Sequence, residues 1–186
     1  MLKVLVFVDF SNLMGQCANF GRKPDLLALR DFLADPNEGR FLIDAFVYAP
    51  LPPVNGEKVV NFHNYLRSQG FMVIAKRGKR LPDGSTKCDL DGEMMLDAME
   101  LSHTIAPDIV VLVTGDGDFA VLAERLRRKG IRVEVASTQQ SLAGELRRAA
   151  QGSIDLTDWV DDCEALAGGQ AGPIGGADIF DEVIGH

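Results

Sequence analysis

Ile109-Val110-Val111-Leu112-Val113-Thr114-Gly115-Asp116-Gly117-Asp118-Phe119 decides how the rest of the 186-residue chain is read. Five apolar, mostly β-branched residues in a row suit a strand buried on both faces, as in a parallel sheet, and not the alternating pattern of a half-exposed strand. The run ends abruptly in Thr114 and two glycines that bracket Asp116, with Asp118 directly after them. Gly115 and Gly117 open backbone angles closed to other residues, and Asp118 stands where a following helix would begin, the usual place of an N-cap. Two acids and two glycines within a few residues exceed what capping needs. In a parallel α/β sheet such a turn lies on the carboxyl edge, where ligands of these sheets bind.

Working outward, the same grammar recurs. Leu2–Val8 is a second continuous apolar run, and it too ends in an acid, Asp9, followed by Asn12 in the connecting loop. Leu26, Leu29, Phe32 and Leu33 give helical spacing from Pro24 to Ala34, and Phe41–Ala49 reads as a strand before the loop Pro50–Gly56. Val59, Phe62 and Leu66 mark a helix from Lys58 to Gln69, Phe71–Ala75 a short strand, and residues 76–87 a loop or small hairpin. Asp91–Ile105 is helical, then Phe119–Lys129; a strand Ile131–Ala136 and a helix Ser141–Ala150 follow. Alternating strands and helices predict a three-layer α/β/α architecture with a mainly parallel central sheet. Residues 1–165 form one domain in this reading. The Gly-rich stretch from 166 to 186 is a flexible tail that ends in Asp178-Ile179-Phe180-Asp181-Glu182-Val183-Ile184, either a frayed end or a docking motif.

Composition narrows the function classes. Apolar residues make up 46%, enough for a sizeable core, and no apolar run is long enough to cross a bilayer. Three widely spaced cysteines (Cys17, Cys88, Cys163) and three scattered histidines argue for reduced thiols in a cytoplasm and against a zinc site. The net charge of −8 does not favour nucleic acid as a whole-protein field. Its distribution matters more. Lys76, Arg77, Lys79 and Arg80 make a basic loop that no helix dipole explains. Arg125, Arg127, Arg128 and Lys129 close a helix, where cations are ordinary but could also form part of a rim. A glycine-rich phosphate loop, a dinucleotide fingerprint and a nucleophile elbow are all missing.

A carboxylate at the end of a buried strand is costly unless something compensates it. Asp9 and Asp116 invite a divalent cation, and the usual substrate of such a centre is a phosphodiester. Asp91 leads a helix whose apolar face carries Met94, Met95, Ala98, Leu101, Ser102 and Ile105, so it starts the core-facing side. Asp97 lies about 240° further around that helix. Glu93 and Glu100 share a face with it and read as solvated helix surface, the role of Asp97 stays open, and Asp89 reads as a cap or turn residue.

Val8-Asp9-Phe10-Ser11-Asn12, then Lys87-Cys88-Asp89-Leu90-Asp91 running into Leu96-Asp97-Ala98-Met99, then Thr114–Phe119, together resemble the NYN domain of LabA/DUF88 type, over residues 2–150. The resemblance implies a PIN-like nuclease fold and a metal-dependent ribonuclease using Mg²⁺ or Mn²⁺. On that pattern Asp9, Asp91, Asp116 and Asp118 are the metal-site acids and Asn12 their helper, with Asp97 a weaker member. The chain departs from the pattern at Cys88 and Asp89, which leaves Asp89 and Asp91 as alternatives; the apolar face of the helix favours Asp91. Lys76, Arg77, Lys79 and Arg80 would hold an RNA backbone, helped by the 125–129 cluster. With only 7% aromatic residues, base stacking is not a strong expectation, although Phe10, Phe20 and Phe119 lie near the motifs. A homodimer is common in such folds. Two other readings share these residues: a non-catalytic RNA-binding or regulatory module, and a phosphotransfer enzyme acting on DNA or a small phosphate ester. A phosphorelay receiver fails, because no adjacent acid pair follows the first strand.

Overall fold

The first strand, β1 (Leu2–Asp9), has its central five residues fully enclosed, as its unbroken apolar run requires. The chain then turns directly into α1 (Phe10–Asn19), where the sequence reading placed a loop. Asp9 caps this helix by accepting from the Asn12 amide at 3.1 Å, and Phe10, Leu13, Met14 and Cys17 bury its inner face. α2 (Leu26–Leu33), capped by Asp25, leads into β2 (Arg40–Leu51), α3 (Glu57–Ser68) and β3 (Met72–Arg77). A small antiparallel hairpin follows, β4 (Lys79–Arg80) with β5 (Thr86–Lys87). α4 (Asp91–Ile105), β6 (Ile109–Val113), a 3-10 turn (Gly117–Phe119) and α5 (Ala120–Arg128) build the next unit. β7 (Arg132–Ser137), α6 (Gly144–Ala149), β8 (Gly152–Asp155) and α7 (Thr157–Asp162) complete the order. The computed structural model describes residues 1–52, 56–80 and 86–166, with Lys79, Arg80, Thr86 and Lys87 described by their backbone alone. The flexible tail expected from 166 onward therefore lies, past Leu166, outside the described residues.

The six main strands run in the order β3-β2-β1-β6-β7-β8, and every neighbouring pair is parallel. The chain winds outward from β1 to β3, returns to the centre at β6, and winds outward the other way. The order reverses between β1 and β6, so their carboxyl ends flank the crevice where doubly wound sheets take their ligands. α1, α2, α3 and α7 cover one face over Val4, Val6, Val8, Val111 and Val113; α4, α5 and α6 cover the other over Leu5, Phe7, Val110 and Leu112. This is the three-layer α/β/α arrangement expected, and the hairpin at 79–87 was among the expected forms of that segment.

Three expectations change. Lys76 and Arg77 are not loop residues but the last two of β3, since each still pairs with β2. Pro50 and Leu51 likewise belong to β2 and not to the loop after it. The 125–129 cluster lies at the far end of α5, and because helices run back against parallel strands, that end sits at the amino edge, away from the crevice. There Arg127 Nη1 donates to the Ala149 carbonyl at 2.6 Å and Arg128 pairs with Glu124. The cations complement helix ends and do not rim the crevice.

The amino edge carries a second charged feature. Glu134 of β7 is 4% exposed, and its carboxylate accepts from Arg132 at 2.7 Å and from Arg40 of β2 at 2.9 Å. β1 and β6 lie between those strands, so the pair spans the centre of the sheet. Among the described residues no helix is long and apolar enough to cross a membrane. All three cysteines are free.

Candidate active site

The crevice is built from four chain segments. β1 delivers Asp9, which period-two alternation aims at the face of Leu5 and Phe7, under α4 and α5. Its carboxylate is held at both oxygens: Oδ1 by the Asn12 amide and Oδ2 by the Thr114 hydroxyl at 3.2 Å. Thr114 is fully buried at the end of β6, and its oxygen also accepts from the Asp116 amide at 3.2 Å. One hydroxyl thus links the Asp9 carboxylate to the backbone amide of Asp116. Asp116 in turn caps the 3-10 turn, with Oδ1 accepting from the Asp118 amide at 3.0 Å. The cap is therefore Asp116, and Asp118 stands exposed in the first turn, not in the capping position expected for it.

Asn12 works from α1. Its Oδ1 accepts from the Gly115 amide at 2.9 Å and from Gln16 Nε2 at 2.7 Å. Gln16, one turn on and 2% exposed, accepts at Oε1 from the Thr138 amide at 2.8 Å and the Ser137 hydroxyl at 3.1 Å. This relay ties α1 to the ends of β6 and β7. Gly115 is required there by space: a methyl group in its place would stand 2.1 Å from the Ser141 carbonyl oxygen. Gly117 meets only the end of the Glu145 side chain, 2.0 Å from the same hypothetical methyl. Glu145 of α6 thus leans on the acidic turn, a neighbour that sequence reasoning missed.

Asp91 is the first residue of α4 and partly buried. Its carboxyl is pushed up to about 6, first by burial and then by the negative charges of Asp9, Asp89, Asp116 and Asp118. Acids far apart in sequence thus lie within electrostatic reach of one another, and the charges acting most on Asp91 are all negative. Asp9 is raised as well, burial first, with Asp116 adding to it against the hydrogen bonds from Asn12 and Thr114. Asp89 accepts from the Asp91 amide at 3.2 Å, the turn-forming role expected of it. Asp97 is engaged elsewhere: the Tyr48 hydroxyl donates to its Oδ2 at 2.7 Å. Burial, then Asp97 itself, hold the Tyr48 phenol well above its ordinary range, so it stays a donor.

The donor set is hard carboxylate oxygen, the chemistry that suits Mg²⁺ or Mn²⁺. Among the described residues, however, no three His, Cys, Asp or Glu side chains stand close enough together to hold an ion between them. The convergence is electrostatic and not a formed coordination shell, as expected of like charges with no cation among their strongest neighbours. Of the basic residues expected to bind substrate, Lys76 is at the carboxyl edge but pairs with Glu93 and donates to the Asp89 carbonyl at 3.2 Å. Arg77 donates to the Pro52 carbonyl at 3.0 Å. The side chains of Lys79 and Arg80 lie outside the described part of the chain. Phe10 and Phe119 are buried to within 1% and Phe20 ends α1, so the two that border the crevice are core residues and not stacking platforms.

A doubly wound parallel sheet with acids gathered at its central reversal defines a PIN-like α/β/α protein. Residues 3–157 match the NYN domain model, and the chain belongs to that family. It is 30% identical over 162 residues to the low amplitude and bright protein LabA of Synechococcus elongatus, covering 84% of each chain. Among solved structures it resembles a protein of unknown function from Vibrio parahaemolyticus, with a TM-score of 0.70 and 30% identity over 84% of this chain and 94% of that one.

Proposed function

We propose that this protein is a metal-dependent ribonuclease that hydrolyses RNA phosphodiester bonds at the carboxyl-edge crevice. The observation that carries the reading is the carboxyl of Asp91, raised by burial and by four other acids, three of them distant in sequence, with one threonine hydroxyl joining the Asp9 carboxylate to the Asp116 backbone amide. Such an arrangement is costly to the fold and is the kind of perturbed cluster that marks a working site. Asp9, Asp91 and Asp116 would hold one or two Mg²⁺ or Mn²⁺ ions, directly or through water, with Asp118 completing the set. A divalent ion supplies polarisation of the phosphoryl oxygen and a bound water acidic enough to attack near neutral pH.

The chain's own groups do the rest. Thr114 and Asn12 fix the rotamer of Asp9 and the path of the Gly115 turn, so two of the acids are preorganised before any ligand arrives. Asp118, exposed in the first turn after Asp116, would orient the attacking water. Lys76 and Arg77 end β3 and Lys79 and Arg80 form β4 just after it, and together they would track the phosphate backbone without reading bases. Membership of a nuclease-associated family supports the same reading.

Asp116→Asn tests it. The amide keeps an oxygen to cap the Asp118 amide while removing the charge, so the fold should persist and Mg²⁺- or Mn²⁺-dependent cleavage of mixed RNAs should vanish. Cleavage that survives in that variant, or that survives a chelator in the wild type, overturns the assignment.

A further inference from the structure

Resting on that reading of the crevice, we propose that Asp97 is a positioning residue and not a metal ligand: its hydrogen bond from Tyr48 sets the height of α4 and thereby where Asp91 stands relative to Asp9.

α4 enters the crevice through its first residue. Of its fifteen residues only Met94, Ala98 and Ser102 are fully buried, and two of those are small. Met95, Met99, Leu101 and Ile105 pack against the core partly buried, a contact without the direction of a hydrogen bond. Leu90 gives no side-chain cap, and the buried Ser102 hydroxyl has no partner. Tyr48 is the opposite case. It lies in β2, is 2% exposed, and is paired across from Asp9 on one side and Ile74 on the other. Asp9 and Tyr48 therefore stand at the same level and on the same face of the sheet. A directional bond of 2.7 Å from the Tyr48 hydroxyl to α4 refers the helix to the level of Asp9.

The helix geometry excludes Asp97 from the ion itself. Six residues separate it from Asp91, which is about 9 Å along the axis and about 240° around it. Its Oδ2 is already occupied by a phenol that remains protonated. A buried polar pair at this place adds less to stability than two apolar side chains of the same shape would, but it specifies one register. Supporting hydrogen bonds of this kind typically govern affinity and rate about 10- to 100-fold.

The test uses Tyr48→Phe, Asp97→Asn and Asp97→Leu in the full chain, with Mn²⁺ affinity measured by calorimetry and RNA cleavage resolved into kcat and KM. Tyr48→Phe and Asp97→Leu should each weaken Mn²⁺ binding about 10- to 100-fold and lower kcat with KM unchanged. Asp97→Asn keeps an oxygen for the phenol and should stay near wild type, and the Tyr48→Phe/Asp97→Leu double variant should be no worse than either single one. If Asp97→Leu fails to fold, the contrast between Tyr48→Phe and Asp97→Asn decides alone. An Asp97→Asn variant that loses Mn²⁺ while Tyr48→Phe keeps it makes Asp97 a ligand and overturns the inference. Wild-type protein that neither binds Mn²⁺ nor cleaves RNA removes the crevice reading and this one with it; wild-type activity with an unaffected Tyr48→Phe removes this one only.

Discussion

Replacing Asp91 by Asn should make the protein more stable while making it inactive. The carboxyl of Asp91 titrates near 6 instead of 3.8, because burial and four neighbouring acids disfavour its charge. A carboxyl displaced that far carries about 3 kcal/mol at full strength. The side chain is only partly buried, so solvent screening reduces the figure to about 1–2 kcal/mol. The sign follows from linkage. A carboxyl whose folded value lies above its unfolded value costs nothing while both states are protonated, below the unfolded value. Stability is lost as pH rises between the two values, and above the folded value the loss is complete. Asn cannot ionise, so Asp91→Asn should gain about 1–2 kcal/mol, a few degrees in melting temperature, above neutral pH, and nothing below about pH 4. Urea unfolding of both proteins across that range, with chelator and low salt, measures the difference. Mn²⁺ should then stabilise the wild type and leave the variant unmoved. An Asp91→Asn protein no more stable than wild type at about pH 8, or one whose advantage does not change with pH, would show that the acids do not press on one another as described.

Two further outcomes follow from the turn and its relay. Gly115→Ala would drive a methyl group into the Ser141 carbonyl and should cost about 2–4 kcal/mol in urea unfolding, whereas Gly117→Ala meets only a movable Glu145 end and should cost under about 1 kcal/mol; equal costs would refute the packing difference between the two glycines. Gln16→Leu strands the buried Thr138 amide and the Asn12 oxygen loses a donor, so stability should fall by about 1–3 kcal/mol and cleavage should weaken; a change under about 0.5 kcal/mol would mean the relay is idle.

The strands at the centre of the sheet were the most legible part of the chain, because burial on both faces writes them as unbroken apolar runs. β1 and β6 stand where the sequence put them, and Thr114 joins the Asp9 carboxylate to the backbone of the Asp116 turn. Asp91 does begin the core-facing side of its helix, since Met94, Ala98 and Ser102 are the buried positions of α4. α1 was missed although Phe10, Leu13, Met14 and Cys17 have helical spacing. Gly15 and the polar Ser11, Asn12, Gln16 and Asn19 gave the segment the composition of a loop. β8 offers a single apolar residue, Ile154, in four, because an edge strand half in solvent needs no more. Gln16, Tyr48 and Glu145 carried no motif. Their roles depend on what tertiary packing puts opposite them, which spacing along one chain does not contain. The rim of cations from 125 to 129 was misplaced for a topological reason, the return direction of a helix behind a parallel strand.

The clasp formed by Arg40, Glu134 and Arg132 gives the sheet the mechanics of a clothes peg. Asp9 and the Asp116 turn stand at one end of the two inner strands, while at the other the strands outside them are clamped together through a single buried carboxylate. The jaws therefore do not part by splaying from below. Slackening the spring would change the bite without touching a tooth.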